Sequence, residues 1–293
     1  MSETASQQFT AAASGRIAAR FRELSHRGEM GIVAYITAGD PSLDASEEIV
    51  LAAAEAGADV IELGVPFSDP VADGPTIQRA SERALRAGAS LAGVLDLVCK
   101  VRKRSDVPLV LFSYYNPLLQ MGTQKFARAA AEAGVDGVLA TDLTIEESAE
   151  YRKTLRAQNL DTIFLVAPTS TDSRIEQIAG VSSGFLYLIS RTGVTGAREA
   201  LPEELPSLVR RVRKFTSLPI AVGFGISQPA HVAVLGGIAD AAVVGSALVA
   251  EIEKSDTPEA AAATVGARVR ALKDASRRGI SRRGDPDRPM VQS

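Results

Sequence analysis

The chain is poor in the residues on which several kinds of protein chemistry depend. Cys99 is its single cysteine, which excludes an intramolecular disulfide and suits a reducing compartment. Histidine occurs only as His26 and His231, both in helical patterns, so no cluster of metal-ligand spacing can be assembled from histidine and cysteine. The seven lysines (Lys100, Lys103, Lys125, Lys153, Lys214, Lys254 and Lys273) fall in helical patterns or loops away from strand ends, which argues against a Schiff-base nucleophile. No run approaches the roughly 20 apolar residues of a membrane span, and the N-terminal MSETASQQFTAAASGR has no basic start followed by an apolar stretch. Charge of either sign is not in excess: 32 basic against 35 acidic side chains, net −3, offers no basic face to nucleic acid. A soluble, cytosolic protein with no nucleic-acid or membrane partner and no metal site is the expectation.

What is present is an alternation. Eight apolar, β-branched runs read as buried parallel strands: 32–37, 59–64, 108–114, 137–141, 161–167, 184–190, 219–224 and 241–247. Amphipathic stretches such as ASEEIVLAAAEAG and TQKFARAAAEAG lie between them. Several stop at glycine before the next strand, in AGAD (56–59), AGVD (133–136) and GGIAD (236–240), where a left-handed C-cap turns the chain back. Eight strand-then-helix units predict a (β/α)8 TIM barrel with an extra N-terminal helix around 8–28 and extra loop helices. A doubly wound sheet is the alternative, but the GxGxxG expected after its first strand is absent. The barrel is expected over 15–275, flanked by a disordered extension (1–14) and a basic, disordered tail (276–293) that carries SRRGISRRG.

In such a barrel the strand C-terminal ends and the loops after them carry function. The second run ends in ELGVPFSDPVADGP, residues 62–75. Alternation along the strand turns Ile61 and Leu63 toward the helices and Glu62, with Gly64, toward the barrel axis. A carboxylate there is costly unless paired or protonated, so Glu62 is either half of a buried ion pair or a general acid/base. No Lys or Arg stands at a neighbouring strand end to pair with it. Asp69 reads as a loop-shaping residue; Asp73 is open between helix N-cap and functional acid. Tyr35 and Thr37 end the first strand.

Across the barrel, Gly223-Phe224-Gly225 follows the seventh run and Gly245-Ser246 the eighth, a pair of loops whose backbone N–H groups suit a phosphate. The loop 191–198, RTGVTGAR, has the Gly and Thr content of a lid. An acid/base enzyme acting on a phosphorylated substrate fits these features. A sugar-phosphate isomerase or lyase of the same fold and a catalytically idle regulatory subunit are the rivals.

The motifs ELGVPFSDPVADGPTIQ, YITAGDP, YYNPLLQMG, FLVAPTST, SRTGVTGAR, VGFGIS and VVGSALV, in that family's order over roughly 15–275, resemble the alpha subunit of tryptophan synthase. The resemblance implies a barrel enzyme that splits indole-3-glycerol phosphate into indole and glyceraldehyde 3-phosphate. It implies an α2β2 complex in which indole passes by a tunnel to a beta subunit; pyridoxal phosphate belongs to that partner, and none to this chain. It puts the catalytic pair on Glu62 and Asp73, phosphate contacts on Gly196, Gly225, Gly245 and Ser246, and Tyr35, Tyr187 and Phe224 around the indole, with Thr195 also at the substrate. One departure is Asp142-Leu143-Thr144, where the family usually has Asp-Leu-Pro; the missing proline removes a fixed φ from a loop that lies toward the beta subunit in the family.

Overall fold

The computed structural model describes residues 15–190, 202–223 and 225–280. Among them nine strands form one sheet: β1 (Gly31–Thr37), β2 (Val60–Gly64), β3 (Leu109–Ser113), β4 (Gly137–Ala140), β5 (Asp161–Thr162), β6 (Leu165–Val166), β7 (Leu186–Ile189), β8 (Ile220–Gly223) and β9 (Ala241–Val244). The strand order is β5-β4-β3-β2-β1-β9-β8-β7-β6, with every pairing parallel. The two ends of this order are consecutive pieces of one segment. Ile163 N–H donates to Val138 O on one side, and Tyr187 N–H donates to Phe164 O on the other, so the sheet closes on itself. The closed ring is the predicted barrel, and it excludes the doubly wound alternative. The fifth run, expected as one strand over 161–167, is split at Ile163 and Phe164 because the segment there hands its pairing from β4 to β7.

The described helices are α1 (Arg16–Arg27), α2 (Leu43–Glu55), α3 (Pro75–Arg86), α4 (Leu91–Arg102), α5 (Tyr115–Met121), α6 (Thr123–Ala133), α7 (Ala149–Arg156), α8 (Asp172–Val181), α9 (Leu205–Arg213), α10 (Pro229–Leu235), α11 (Ser246–Lys254) and α12 (Pro258–Ile280). Strand alternation sorts the apolar side chains into two nested cores. Ile32, Ala34, Ile36, Ile61, Leu63, Leu109 and Leu111 face the helices, whereas Val33, Tyr35, Val60, Val110, Phe112 and Leu139 fill the interior. α1 closes the N-terminal end with Ile17, Phe21 and Leu24; the Phe21 and Phe185 ring centroids lie 5.9 Å apart. The predicted leading helix is thus present, starting at Arg16 in place of residue 8, with residues 8–14 outside the described part.

The glycine-to-aspartate ends at 57–59, 134–136 and 237–240 have a second role that their glycines do not reveal. Gly57, Gly134 and Gly237 have φ of 104°, 93° and 80°, as a left-handed helix stop requires. The aspartates that follow each accept the N–H that starts the neighbouring strand: Asp59 from Ile32 (2.7 Å), Asp136 from Leu109 (2.8 Å) and Asp240 from Ile220 (2.8 Å). Each is also held by cations. Lys273 Nζ lies 2.8 Å from Asp59 with Arg20 at 3.3 Å, Arg16 and Arg102 each lie 3.0 Å from Asp136, and Arg213 pairs with Asp240. These clamps lie at the N-terminal ends of the strands, the face of a barrel given to stability.

The barrel was expected to end at residue 275. α12 continues through Ile280, and Ser276 is buried with its hydroxyl donating to Lys273 O at 2.8 Å. Packing of α12 along α2 and α10 extends the helix past the point where its composition turns basic. Residues 281–293 lie outside the described part.

Lys273 is the most deeply buried cation of these clamps, so Lys273→Ala should lower unfolding free energy in urea by about 3 kcal/mol. Arg27→Ala, which removes an exposed pair with Glu23, should cost less than about 1 kcal/mol in the same measurement.

Candidate active site

Glu62 sits in the middle of β2, opposite Tyr35 of β1 and Val110 of β3 in the sheet register. Its strand neighbours Ile61 and Leu63 face the outer core, so Glu62 faces the interior as the alternation predicts. The residue is fully buried, and neither carboxylate oxygen meets a hydrogen-bond donor among the described residues. Among the described residues no cation pairs with it, so no buried ion pair is formed among them. Burial alone pushes its carboxyl up to about 8, so at neutral pH it carries a proton.

Asp73 reaches the same mouth from the loop. Its N–H donates to Pro70 O (3.0 Å) in a tight bend, and Gln78 Nε2 donates to the carbonyls of Asp73 (2.9 Å) and Pro70 (3.3 Å). Its side chain is not a helix cap. Gly74 occupies the N-cap of α3, and the Asp73 carboxylate instead accepts the Tyr114 hydroxyl at 3.0 Å. That hydroxyl in turn accepts Ala72 N–H at 2.9 Å, so Tyr114 pins both the loop and the acid. Burial raises the Asp73 carboxyl to about 6 against the lowering effect of the Tyr114 hydrogen bond. Asp69 is exposed, with Ser68 Oγ donating to its side chain at 3.2 Å, as suits a residue that shapes the loop.

Aromatic side chains wall the space between. Tyr35 meets Phe112 edge-on at 5.3 Å, and Phe112 lies 6.4 Å from Tyr187. Two glycines seat the two tyrosine hydroxyls: a Cβ on Gly64 would lie 2.1 Å from Tyr35 Oη, and one on Gly223 would lie 2.3 Å from Tyr187 Oη. Burial holds both phenols well above their ordinary range, and the charges of Asp73 and Glu62 push both in the same direction. Both acids are therefore felt by both tyrosines, which places all four groups around one mouth.

Gly225 and Ser246 follow the neighbouring strands β8 and β9. Gly225 takes φ of 91°, a conformation closed to most side chains. Gly245 is the N-cap of the nine-residue α11, and a Cβ there would touch Tyr35 Cβ at 3.4 Å. The leading N–H groups of α11, without intrahelical partners, thus start beside the Tyr35 wall, a suitable seat for an anion. Of the predicted substrate residues, Tyr35, Tyr187, Gly225, Gly245 and Ser246 are brought to the C-terminal end of the barrel with the two acids. Thr195, Gly196 and Phe224, like the loop 191–198, lie outside the described residues.

Tyr114, Phe112 and Gln78 were not singled out from the sequence, and Gly64 and Gly223 were read there without their role as seats for tyrosine hydroxyls. Tyr114 closes the third predicted strand at its C-terminal end, where barrel chemistry is sited, so its position was a usable signal. The remaining reactive side chains are elsewhere: Lys273 is at the opposite barrel end, Cys99 packs against the outer core, and His231 Nδ1 accepts Ser227 N–H at 3.3 Å. Among the described residues no group of three or more His, Cys, Asp or Glu is placed to hold a metal ion.

Because the Tyr114 hydrogen bond opposes burial at Asp73, Tyr114→Phe should move the Asp73 carboxyl above about 6. Carbon-13 NMR titration of aspartate-labelled protein reads this directly, and an unchanged or lower midpoint would contradict the assigned contact.

The comparisons with known proteins agree with this geometry. Residues 21–277 match the family model for the tryptophan synthase alpha chain. The tryptophan synthase alpha chain of Solibacter usitatus is 52% identical over 240 residues, covering 82% of this chain and 90% of that one. That of Dechloromonas aromatica is 50% identical over 270 residues, covering 90% and 97%. A solved Mycobacterium tuberculosis tryptophan synthase structure superposes with a TM-score of 0.83 at 35% identity, covering 90% of this chain and 99% of that one. The Legionella pneumophila tryptophan synthase alpha subunit superposes with a TM-score of 0.80 at 34% identity, covering 90% and 99%. With the match running through every strand that carries a site residue, the chain belongs to the tryptophan synthase alpha chain family.

Proposed function

We propose that this chain cleaves indole-3-glycerol phosphate to indole and glyceraldehyde 3-phosphate, with Glu62 and Asp73 as its catalytic residues. The observation that carries the assignment is the fully buried Glu62 carboxyl, proton-bearing at neutral pH, with no hydrogen-bond partner among the described residues. Family membership selects the substrate.

Each group then has a defined task. The protonated Glu62 gives its proton to C3 of the indole ring, which leaves the ring nitrogen positive. Asp73, ionised above about pH 6, accepts the indole N–H and stabilises that charge. Glu62, now a carboxylate, takes the proton of the hydroxyl on the adjacent glycerol carbon. The O–H electrons form the aldehyde C=O, and the C–C electrons return to the ring and neutralise it. Glu62 ends protonated, ready for another turn. The indole ring itself is the electron sink, so the cleavage calls for no cofactor in this chain.

In this reading Tyr35, Tyr187 and Phe224 enclose the indole, Thr195 lies at the substrate, and Gly196, Gly225, Gly245 and Ser246 hold the phosphate by backbone and hydroxyl donors. The partner is the beta subunit, in an α2β2 complex that supplies pyridoxal phosphate. Two apolar side chains, Val71 (83% exposed) on the loop after β2 and Leu119 (52%) on α5 after β3, suit a protein partner at that rim. Tyr115 N–H donates to Asp142 Oδ1 at 2.7 Å, so Asp142 braces this rim, while Thr144 Oγ1 donates to Glu147 at 3.3 Å where the resembled family has proline. A biosynthetic step on a phosphorylated metabolite suits a cytoplasmic enzyme.

Indole release from indole-3-glycerol phosphate by the purified chain, with and without a beta subunit, tests the assignment. Glu62→Gln should lower turnover by roughly 100-fold or more while the substrate still binds; near-normal turnover would sink it. The free enzyme is active with Glu62 protonated and Asp73 ionised. kcat/KM should therefore rise through about pH 6 and fall through about pH 8, and Asp73→Asn should remove the lower limb.

A further inference from the structure

Behind the barrel mouth, two arginines of α3 tie together three elements that each carry part of the site. Arg83 holds Asp40 with two parallel hydrogen bonds, Nε to Oδ1 and Nη2 to Oδ2, both 2.8 Å. Asp40 is buried in the turn that follows β1, the strand of Tyr35. Arg83 Nη1 also donates to Glu253 of α11 at 2.8 Å. Arg79, one helical turn earlier, grips the same Glu253 carboxylate through both oxygens at 2.7 and 2.8 Å. The two arginines hold the Glu253 carboxyl down at about 2.

The turn after β1 is also pressed onto the end of α3. A Cβ on Gly39 would lie 2.4 Å from Ala89 Cβ and 3.3 Å from Ala84 Cβ, so the contact has no slack. On the inner side, Ile77 and Ala80 of α3 share the interior core with Val249 of α11 and with Tyr35. Glu253 lies seven residues beyond Ser246, two helical turns or about 10 Å along α11. Fixing that end of so short a helix against α3 fixes the direction in which its N-terminal amides point. Isolated surface ion pairs contribute little, but this one is a network of bidentate arginines with one fully buried member.

We propose that Glu253, Arg79 and Arg83 are positioning residues that hold the phosphate-binding end of α11 in register with the acid-bearing side of the mouth. The inference rests on the phosphate role assigned to Gly245 and Ser246. None of the three needs to touch substrate; each acts through the direction of α11.

Arg83→Ala would strip the buried Asp40 of its cation and risk the fold, so Glu253→Gln, which leaves that pair intact, is the variant of choice. Its thermal midpoint and circular dichroism should match the wild type. KM for indole-3-glycerol phosphate should rise roughly tenfold, the scale of one weakened charge-assisted hydrogen bond, with kcat within about twofold. Affinity for sn-glycerol 3-phosphate, read by calorimetry, should fall by the same factor while affinity for indole stays unchanged. Arg79→Met should show the same split, and the double variant should be no worse than either alone. Parallel loss of both ligands would mark a merely structural role and overturn the inference, as would an unchanged KM. If the wild-type chain releases indole and Glu253→Gln behaves identically, only this inference falls; if the wild type neither releases indole nor binds glycerol phosphate, the functional assignment falls first.

Discussion

The structure turns on a carboxyl group that meets no hydrogen-bond donor or cation among the described residues. In the folded protein Glu62 keeps its proton to about pH 8, whereas the unfolded chain loses it near 4.5. Below 4.5 both states are protonated and the residue costs nothing electrostatically. As pH rises from there to 8 the unfolded state gains stability from ionisation that the folded state lacks, a penalty on the order of a few kcal/mol at neutral pH. That is a substantial fraction of the net stability of an ordinary domain, so the surrounding fold has to offset it.

The offset is placed at the other end of the barrel. Asp59, Asp136 and Asp240 are also carboxyl groups, and two of them are nearly as buried as Glu62. Each receives a strand amide and at least one cation, so each charge is compensated where it stands. Cations that could have silenced Glu62 are spent on the N-terminal face, where Lys273 and Arg102 are buried in pairs. Two nested apolar cores then separate a saturated end from an unsaturated one. Reactivity at the C-terminal mouth is an effect of what is withheld from it.

Periodicity alone was enough to orient Glu62, because a strand with outward-facing Ile61 and Leu63 has no other way to turn it. Eight apolar runs were likewise enough for the barrel, since helices between parallel strands leave few closed arrangements. Long-range pairing was not legible. Asp73 stayed open between helix cap and functional acid because its neighbours Gly74 and Pro75 open a helix; its actual partner, Tyr114, is 41 residues away and meets it only because β2 and β3 are adjacent. The clamping role of Asp59 was hidden in the same way, with Lys273 lying 214 residues off. The boundary expected at residue 275 followed composition, whereas α12, packed against α2 and α10, runs on to Ile280. The division of the fifth strand reflects ring closure, a property of the whole sheet that no local pattern encodes.

One phenol separates the roles of the two acids. Glu62 and Asp73 share a mouth, and burial raises both, yet one stands near 8 and the other near 6. Asp73 has the Tyr114 hydroxyl to stabilise its charge; Glu62 has no donor among the described residues. Between those two values one acid is protonated and the other ionised, which is the pair of states that protonation at carbon and stabilisation of a cation require. That hydroxyl is itself fixed by the Ala72 amide and by the Phe67 ring stacked at 5.0 Å. On the opposite wall, Gly64 and Gly223 leave the Tyr35 and Tyr187 hydroxyls seated against bare backbone, so the enclosure cannot yield without displacing a ring. The difference in acidity is therefore built into the ground state of the free enzyme, where the environment around each carboxyl is set before any substrate enters.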